Sequence, residues 1–359
     1  MFESALPYFI FLGVTITIYS FQRNFHVKAI FNPAVILALL SMALFAGLRD
    51  RYVGTDTATY VYGFSNVLNE PLEGNFSEIL FEEPGYYLLE VFVHLFTDQY
   101  WGLLFAVAVI CSVNVLYIIN KYSENKVLSL FIYITLGYYL FCFNAARQAI
   151  ALSIYMLALP CIEKKQIVKY CIIVVIAAMF HKTILIMLPM YFILRMRYSW
   201  KSVSLIVILG FIIASALPGL IVSVSQIDEK YMLYASMKAT GGYLLTSFYI
   251  LLTIFFMIMR TNVVKEKIKE YDIFLLMLIC GSVIYLVVLL TGAYIEITRF
   301  AAYFQIATIF LFAKIFNSNK HLVNIGVMTM ICVGCLIYFY IFVTTMAGLI
   351  PYTFNKELI

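Results

Sequence analysis

Charge is scarce in this sequence. Asp, Glu, Lys and Arg make up 12% of its 359 residues and hydrophobic residues 64%, too little polar surface to clothe soluble domains of that total length. A soluble enzyme is excluded. Histidines are few and scattered (His26, His94, His181, His321), and no HExxH, DxD or histidine pair supplies metal-ligand spacing, so metal-free and cofactor-free chemistry is expected. No run of five basic residues occurs, so the net charge of +5 carries no nucleic-acid footprint. Neither internal repeats nor low-complexity tracts are present. The seven cysteines lie in or beside apolar stretches, which argues against a disulfide framework; Cys332-Val-Gly-Cys335 has CxxC spacing but falls mid-helix and reads as packing. Glu3 stands where a signal peptide carries basic residues, and no small-residue cleavage site follows, so a retained first helix is predicted.

What the sequence has in quantity is long apolar runs. They predict an all-α polytopic integral membrane protein, one transmembrane domain over 1–359 with about twelve spans (ten to twelve). The candidates are 6–21, 29–48, 101–119, 127–143, 145–160, 168–180, 183–194, 202–225, 243–259, 273–291, 298–313 and 322–349. The two short pieces around His181-Lys182 read either as two spans or as one re-entrant hairpin. Placing both termini outside puts 16 of the 24 Lys and Arg, but only 5 of the 19 Asp and Glu, in cytoplasmic loops. The blocks Lys164-Lys165, Arg195-Met-Arg197 and Lys265-Glu-Lys267-Ile-Lys269 then need no role beyond orientation.

The outer face holds the unexplained polarity. Residues 49–100 form a long acidic loop with Asp50, Asp56, Glu70, Glu73, Glu78, Glu82 and Glu83 against Arg49 and Arg51. Within it Glu83, Tyr87, Glu90 and His94 recur at i, i+4, i+7 and i+11 among Leu, Val and Phe, which predicts a helix lying in the outer interface. A second outer loop covers 226–242.

Arg49, Arg147, Lys182 and Arg299 fall at the outer ends of spans, where a cation drawn toward the helix centre costs about 2.5–3.5 kcal/mol. Pairing with outer carboxylates or snorkelling explains any one of them. Four together, with His181 beside Lys182, point to an outward-facing anion site, since arginine donates bidentate hydrogen bonds to a phosphate or pyrophosphate and keeps its charge when partly buried. Arg147-Gln148 follows Asn144 among small residues that allow close helix approach. Glu296, Arg299 and Tyr303 share a helical face at i, i+3 and i+7, read either as a local ion pair or as an arginine aimed at a ligand oxygen. His181, Asp56 and Glu83 are the candidate proton acceptors.

In chain order, Gly47-Leu-Arg49, Val53-Gly-Thr-Asp56 with Tyr60, Glu83-Pro-Gly-Tyr86, Arg147-Gln148-Ala-Ile-Ala151, Phe180-His181-Lys-Thr183, and Arg299 with Tyr303 resemble the EpsG-type branch of the Wzy-like O-antigen and polysaccharide polymerases. The resemblance implies an integral membrane glycosyltransferase of the bacterial inner membrane that joins undecaprenyl-pyrophosphate-linked oligosaccharide repeat units on the outer side, with membrane lipid and a chain-length regulator protein as partners. It implies catalytic roles for Arg147, His181, Arg299, Asp56 and Glu83, and substrate binding by Arg49, Tyr60, Tyr86, Gln148, Lys182, Glu296 and Tyr303. Arginines would stabilise the leaving pyrophosphate. The rival readings are another outward-acting transferase (a glycan ligase or acyltransferase), a flippase for lipid-linked oligosaccharide, and a structural membrane subunit; a flippase would carry charge through its midplane, where these spans have little.

Overall fold

A computed structural model describes residues 2–25, 27–28, 31–69, 83–225, 242–291, 295–316 and 323–356. In chain order its principal helices are α1 (Phe2–Ser20), α2 (Pro33–Gly47), α3 (Thr57–Asn66), α4 (Pro84–His94), α5 (Tyr100–Tyr122), α6 (Lys126–Thr135), α7 (Ala146–Met156), α8 (Ile167–Ala178), α9 (Met187–Leu194), α10 (Trp200–Ser225), α11 (Tyr243–Met259), α12 (Ile268–Thr291), α13 (Ala302–Gln305), α14 (Thr308–Ile315) and α15 (Val323–Thr345). The one bridge of β type among the described residues joins Arg49 to Phe354.

The expected all-helical membrane architecture is present. Six stretches among the described residues are long and apolar enough to cross a bilayer: Glu3–Asn24, Tyr100–Tyr122, Lys126–Phe143, Tyr243–Asn262, Lys265–Thr291 and Ile325–Thr345. Others are interrupted. The run predicted at 298–313 begins as a 3-10 turn, Ile295–Ala301, and continues as two short helices, α13 and α14. The 145–160 run ends its helix at Met156, so hydropathy there marked burial in protein; α7 buries nine of its residues. The second outer loop, 226–242, lies outside the described residues apart from Gly242, as do Glu70, Glu73, Glu78 and Glu82.

The chain clusters into two compact units. The first comprises 1–159, 168–185 and 316–359. In it α2 packs along α1 and α5, α7 packs on α5, and α3 and α4 lie against α5. Local chemistry starts these helices: Asn32 accepts from the Ala34 amide at 3.0 Å with Pro33 in the first turn of α2, and Asn125 accepts from the Leu128 amide to cap α6. The second unit comprises 160–167 and 186–315 and is organised around α12, with α9, α10, α11, α13 and α14 against it. Two ion pairs stand near the start of α12: Arg260 to both oxygens of Asp272, at 2.6 and 2.9 Å, and buried Lys314 to Glu270 at 2.5 Å.

Candidate active site

The first unit gathers one constellation of charge, and the Glu83-Pro84-Gly85 turn builds it. Glu83 sits in the left-handed region (φ 61°) just before Pro84, which opens α4. A residue preceding proline is steered away from the right-handed helical region, and a left-handed non-glycine stores of order 1–3 kcal/mol of strain. Gly85 then meets the 179–182 turn: its amide donates to the Met179 carbonyl at 2.8 Å, and a Cβ at Gly85 would stand 2.9 Å from that oxygen. Only glycine permits the approach.

That approach delivers the buried Glu83 carboxylate to three donors. Oε1 accepts from His181 Nδ1 at 2.7 Å and from the Lys182 backbone amide at 3.2 Å; Oε2 accepts from Arg147 Nη1 at 3.2 Å. Burial alone would raise the Glu83 carboxyl, but the His181 hydrogen bond, the charges of His181 and Arg147 and the Lys182 amide outweigh it and hold the group below its usual range. Glu83 is therefore an ionised anchor with both oxygens engaged.

Arg147, at the start of α7, keeps 45% of its side chain exposed while Glu83 holds one nitrogen. Its guanidinium lies 5.3 Å from the Tyr86 ring centroid and 5.9 Å from that of Tyr60, and the two rings are 5.9 Å apart. The half-exposed fork is thus braced by a carboxylate on one side and aromatic faces on the other, with donors left over. His181 is one-quarter exposed, and with Nδ1 committed to Glu83 its Nε2 has no partner among the described residues.

The loop before α3 is fastened to the same region. Asn144 Oδ1 accepts from the Thr55 amide at 2.6 Å and the Thr55 hydroxyl at 2.8 Å, and buried Thr57 donates to the Phe143 carbonyl at 2.8 Å. Gly54, at φ 98°, packs where a side chain would strike the Phe143 carbonyl. On its other side the loop is tied to the C-terminal segment, the Gly54 and Thr55 amides donating to the carbonyls of Gly348 and Ala347. Asp56, half-buried at the N-terminus of α3, makes no cap hydrogen bond and does not join the Glu83 cluster.

Six of the residues singled out from the sequence thus meet here: Glu83, Arg147, His181, Tyr60, Tyr86 and, through its backbone, Lys182. The others stand apart. Arg49 is buried, its Nη1 donating to the Ala46 carbonyl and its guanidinium 4.0 Å from the Phe143 ring. Gln148 is buried on α7. In the second unit Arg299 is exposed on the 3-10 turn and Tyr303 is fully buried; the Glu296 side chain lies outside the described residues. The expected continuous helical face at 296–303 is instead a change from 3-10 to α geometry at Ala302. The residue missed from sequence is Glu90, buried on α4, where the charges of Arg147 and His94 act on it and it in turn acts on Tyr86. Its place in the stripe 83–94 was the available signal. Among the described residues no three His, Cys, Asp or Glu side chains gather as a metal site.

Helices long and apolar enough to cross a membrane define an all-α membrane protein, and in its first unit one carboxylate holds an arginine and a histidine together. A family model describing the EpsG family matches residues 34–354, and the chain belongs to that family, whose members are associated with polysaccharide polymerisation. No curated protein and no solved structure matches it.

Proposed function

We propose that the protein is a polysaccharide polymerase that joins undecaprenyl-pyrophosphate-linked oligosaccharide repeat units on the outer side of the bacterial inner membrane. The observation that carries this reading is Glu83 holding Arg147 and His181 in one cluster. Arg147 donates its free N–H groups to the pyrophosphate of the lipid-linked donor glycan. A hydroxyl of the incoming repeat forms the new bond to the anomeric carbon while the bond from that carbon to the pyrophosphate oxygen breaks. The electron pair leaves with the pyrophosphate, and the hydroxyl proton passes to Nε2 of His181, which Glu83 orients through Nδ1. Half-buried Tyr60 offers a ring face and polar edge to the sugars, while the buried Tyr86 ring braces Arg147. Asp56, Arg49, Gln148 and Lys182 are supporting positions of the same unit, and Arg299, with Glu296 and Tyr303, is a separate candidate anion contact of the second unit.

The test is a gel of surface polysaccharide from cells with the gene deleted and restored as wild type or Arg147→Ala. The expected result is a ladder from the wild type and single repeat units from the variant at equal protein level. A full ladder from Arg147→Ala overturns the assignment of Arg147. A histidine oriented by a carboxylate also suits hydroxyl activation in a glycan ligase or acyltransferase, and that reading gains if the deletion leaves chain length intact but removes glycan attachment or acylation. Loss of all surface repeats, with lipid-linked units trapped inside, indicates a flippase.

A further inference from the structure

Two polar groups on the inner face of α4 have no hydrogen-bond partner. The Tyr86 hydroxyl is fully enclosed and unpaired, and the Glu90 carboxyl, one turn further on in a side chain 8% exposed, has no hydrogen bond or ion pair with a described residue and is not itself fully enclosed. Residues four apart on a helix point the same way, so phenol and carboxyl stand on one face. Buried polar groups are nearly always paired in native proteins, so an enclosed unpaired phenol beside a carboxyl with no protein partner forms a donor and acceptor set awaiting an outside partner.

The surroundings narrow what that partner is. Arg147 lies close enough to stabilise a charge on Glu90, and the Tyr60 and Tyr86 rings flank Arg147. His94, the other polar group near Glu90, is spent: its ring nitrogens contact Asp98 Oδ1 at 2.8 Å and the Phe64 carbonyl at 2.9 Å, and it stacks on Phe64. Directly over the carboxyl is Gly63 of α3, which is exposed; a Cβ there would have Glu90 Oε1 as its only neighbour within 4 Å, at 3.9 Å. The missing side chain leaves an approach to the carboxyl beside the proposed pyrophosphate arginine. Burial pushes Glu90 up to about 7, against the opposing pull of Arg147 and His94, so near neutral pH it can both donate and accept.

We infer that Glu90 and the Tyr86 hydroxyl form a subsite for neutral sugar-ring hydroxyls, reached past Gly63, which seats the sugar next to the pyrophosphate held by Arg147. Resting on the polymerase reading, the subsite makes Glu90 a specificity-determining contact rather than the proton acceptor, which is His181. A neutral hydroxyl pair suits it because a phenol and a carboxyl can exchange donor and acceptor roles with two ring hydroxyls.

The test uses the full chain in detergent or nanodiscs and, as probe, the oligosaccharide repeat released by mild acid from the cell's own lipid-linked pool, with binding measured by calorimetry. Each of Glu90→Ala and Tyr86→Phe is expected to weaken binding about tenfold, the equivalent of one lost hydrogen bond. Gly63→Leu, which leaves both groups in place and covers the approach on a helix that tolerates leucine better than glycine, should weaken it at least as much. Glu90→Gln, still a donor and acceptor, should retain most of the affinity. Melting temperatures no lower than the wild type's for Tyr86→Phe and Gly63→Leu separate lost binding from lost folding. Wild-type affinity in Gly63→Leu and Tyr86→Phe, or no measurable binding by the wild type, overturns the subsite. The gel on deleted and restored cells decides the polymerase reading independently, because binding of the released oligosaccharide does not require polymerisation.

Discussion

Glu83 is the residue on which the candidate site turns, and its environment sets a pH dependence. Because the folded carboxyl sits below its ordinary range, its pairing contributes stability that is fully present above that range and is lost as pH falls through the depressed value. Replacing it by Gln leaves Arg147 and His181 without their anion. Glu83→Gln is expected to abolish polymer and to cost about 1–3 kcal/mol, less than a fully enclosed pair because Arg147 is half exposed. Thermal unfolding at neutral pH checks the cost and the polysaccharide gel checks the activity. Glu90 behaves in the opposite sense: its folded pKa of about 7 lies above the ordinary 4.5, so the penalty for ionising it is absent below that ordinary value and complete above about 7. Glu90→Gln should therefore raise the melting temperature at pH 8 and shift it little at pH 4.5, the gain at pH 8 being roughly 1–3 kcal/mol. Equal shifts at the two pH values would contradict the raised pKa. At this scale the sequence was informative about identity and weak about role: Arg147 stood out as a cation at a span end and Glu83 and His181 as candidate proton acceptors, whereas the spacing of Glu90 could not reveal that its carboxyl is left unpaired.

Among elements, α4 was the most legible, since the stripe Glu83, Tyr87, Glu90 and His94 among apolar residues announces a helix. Its facing was harder to read. Tyr86, Glu90 and Val93 are buried while Leu88, Phe92, Leu95 and Phe96 are exposed, so the polar stripe turns inward and the apolar residues outward, the inverse of a helix on a water-soluble core. Periodicity locates two faces but does not say which solvent each meets. The join between α4 and the 179–182 turn gives a sharper test. Gly85→Ala places a methyl 2.9 Å from the Met179 carbonyl and must part the two, so polymer should fall severely; Gly326→Ala, where nothing stands within 4 Å, should leave the ladder unchanged. The interrupted helices around 146–163 and 295–315 were not visible as such, because hydropathy registers burial in protein and burial in lipid alike.

For the molecule as a whole, the C-terminal segment is tied to the region of the site. Beyond the amides of Gly54 and Thr55 held by 347–348, the Asp50 amide donates to the Thr353 carbonyl, the Asn355 amide to the Leu48 carbonyl, Tyr352 to the Phe45 carbonyl and Tyr8 to the Leu349 carbonyl. Removing 347–359 should leave protein in the membrane yet abolish the ladder, since the 53–57 loop then keeps only its Asn144 and Phe143 ties; blot and gel read the two outcomes separately. No local pattern could foretell these contacts, whose partners are up to 341 positions apart. They also impose an order on biosynthesis. The loop at 54–55 waits for partners made about 290 residues later, some tens of seconds at about 5–20 residues per second. A nascent chain with its preceding helices already inserted thus lacks a finished loop until residues 347 and 348 have been made.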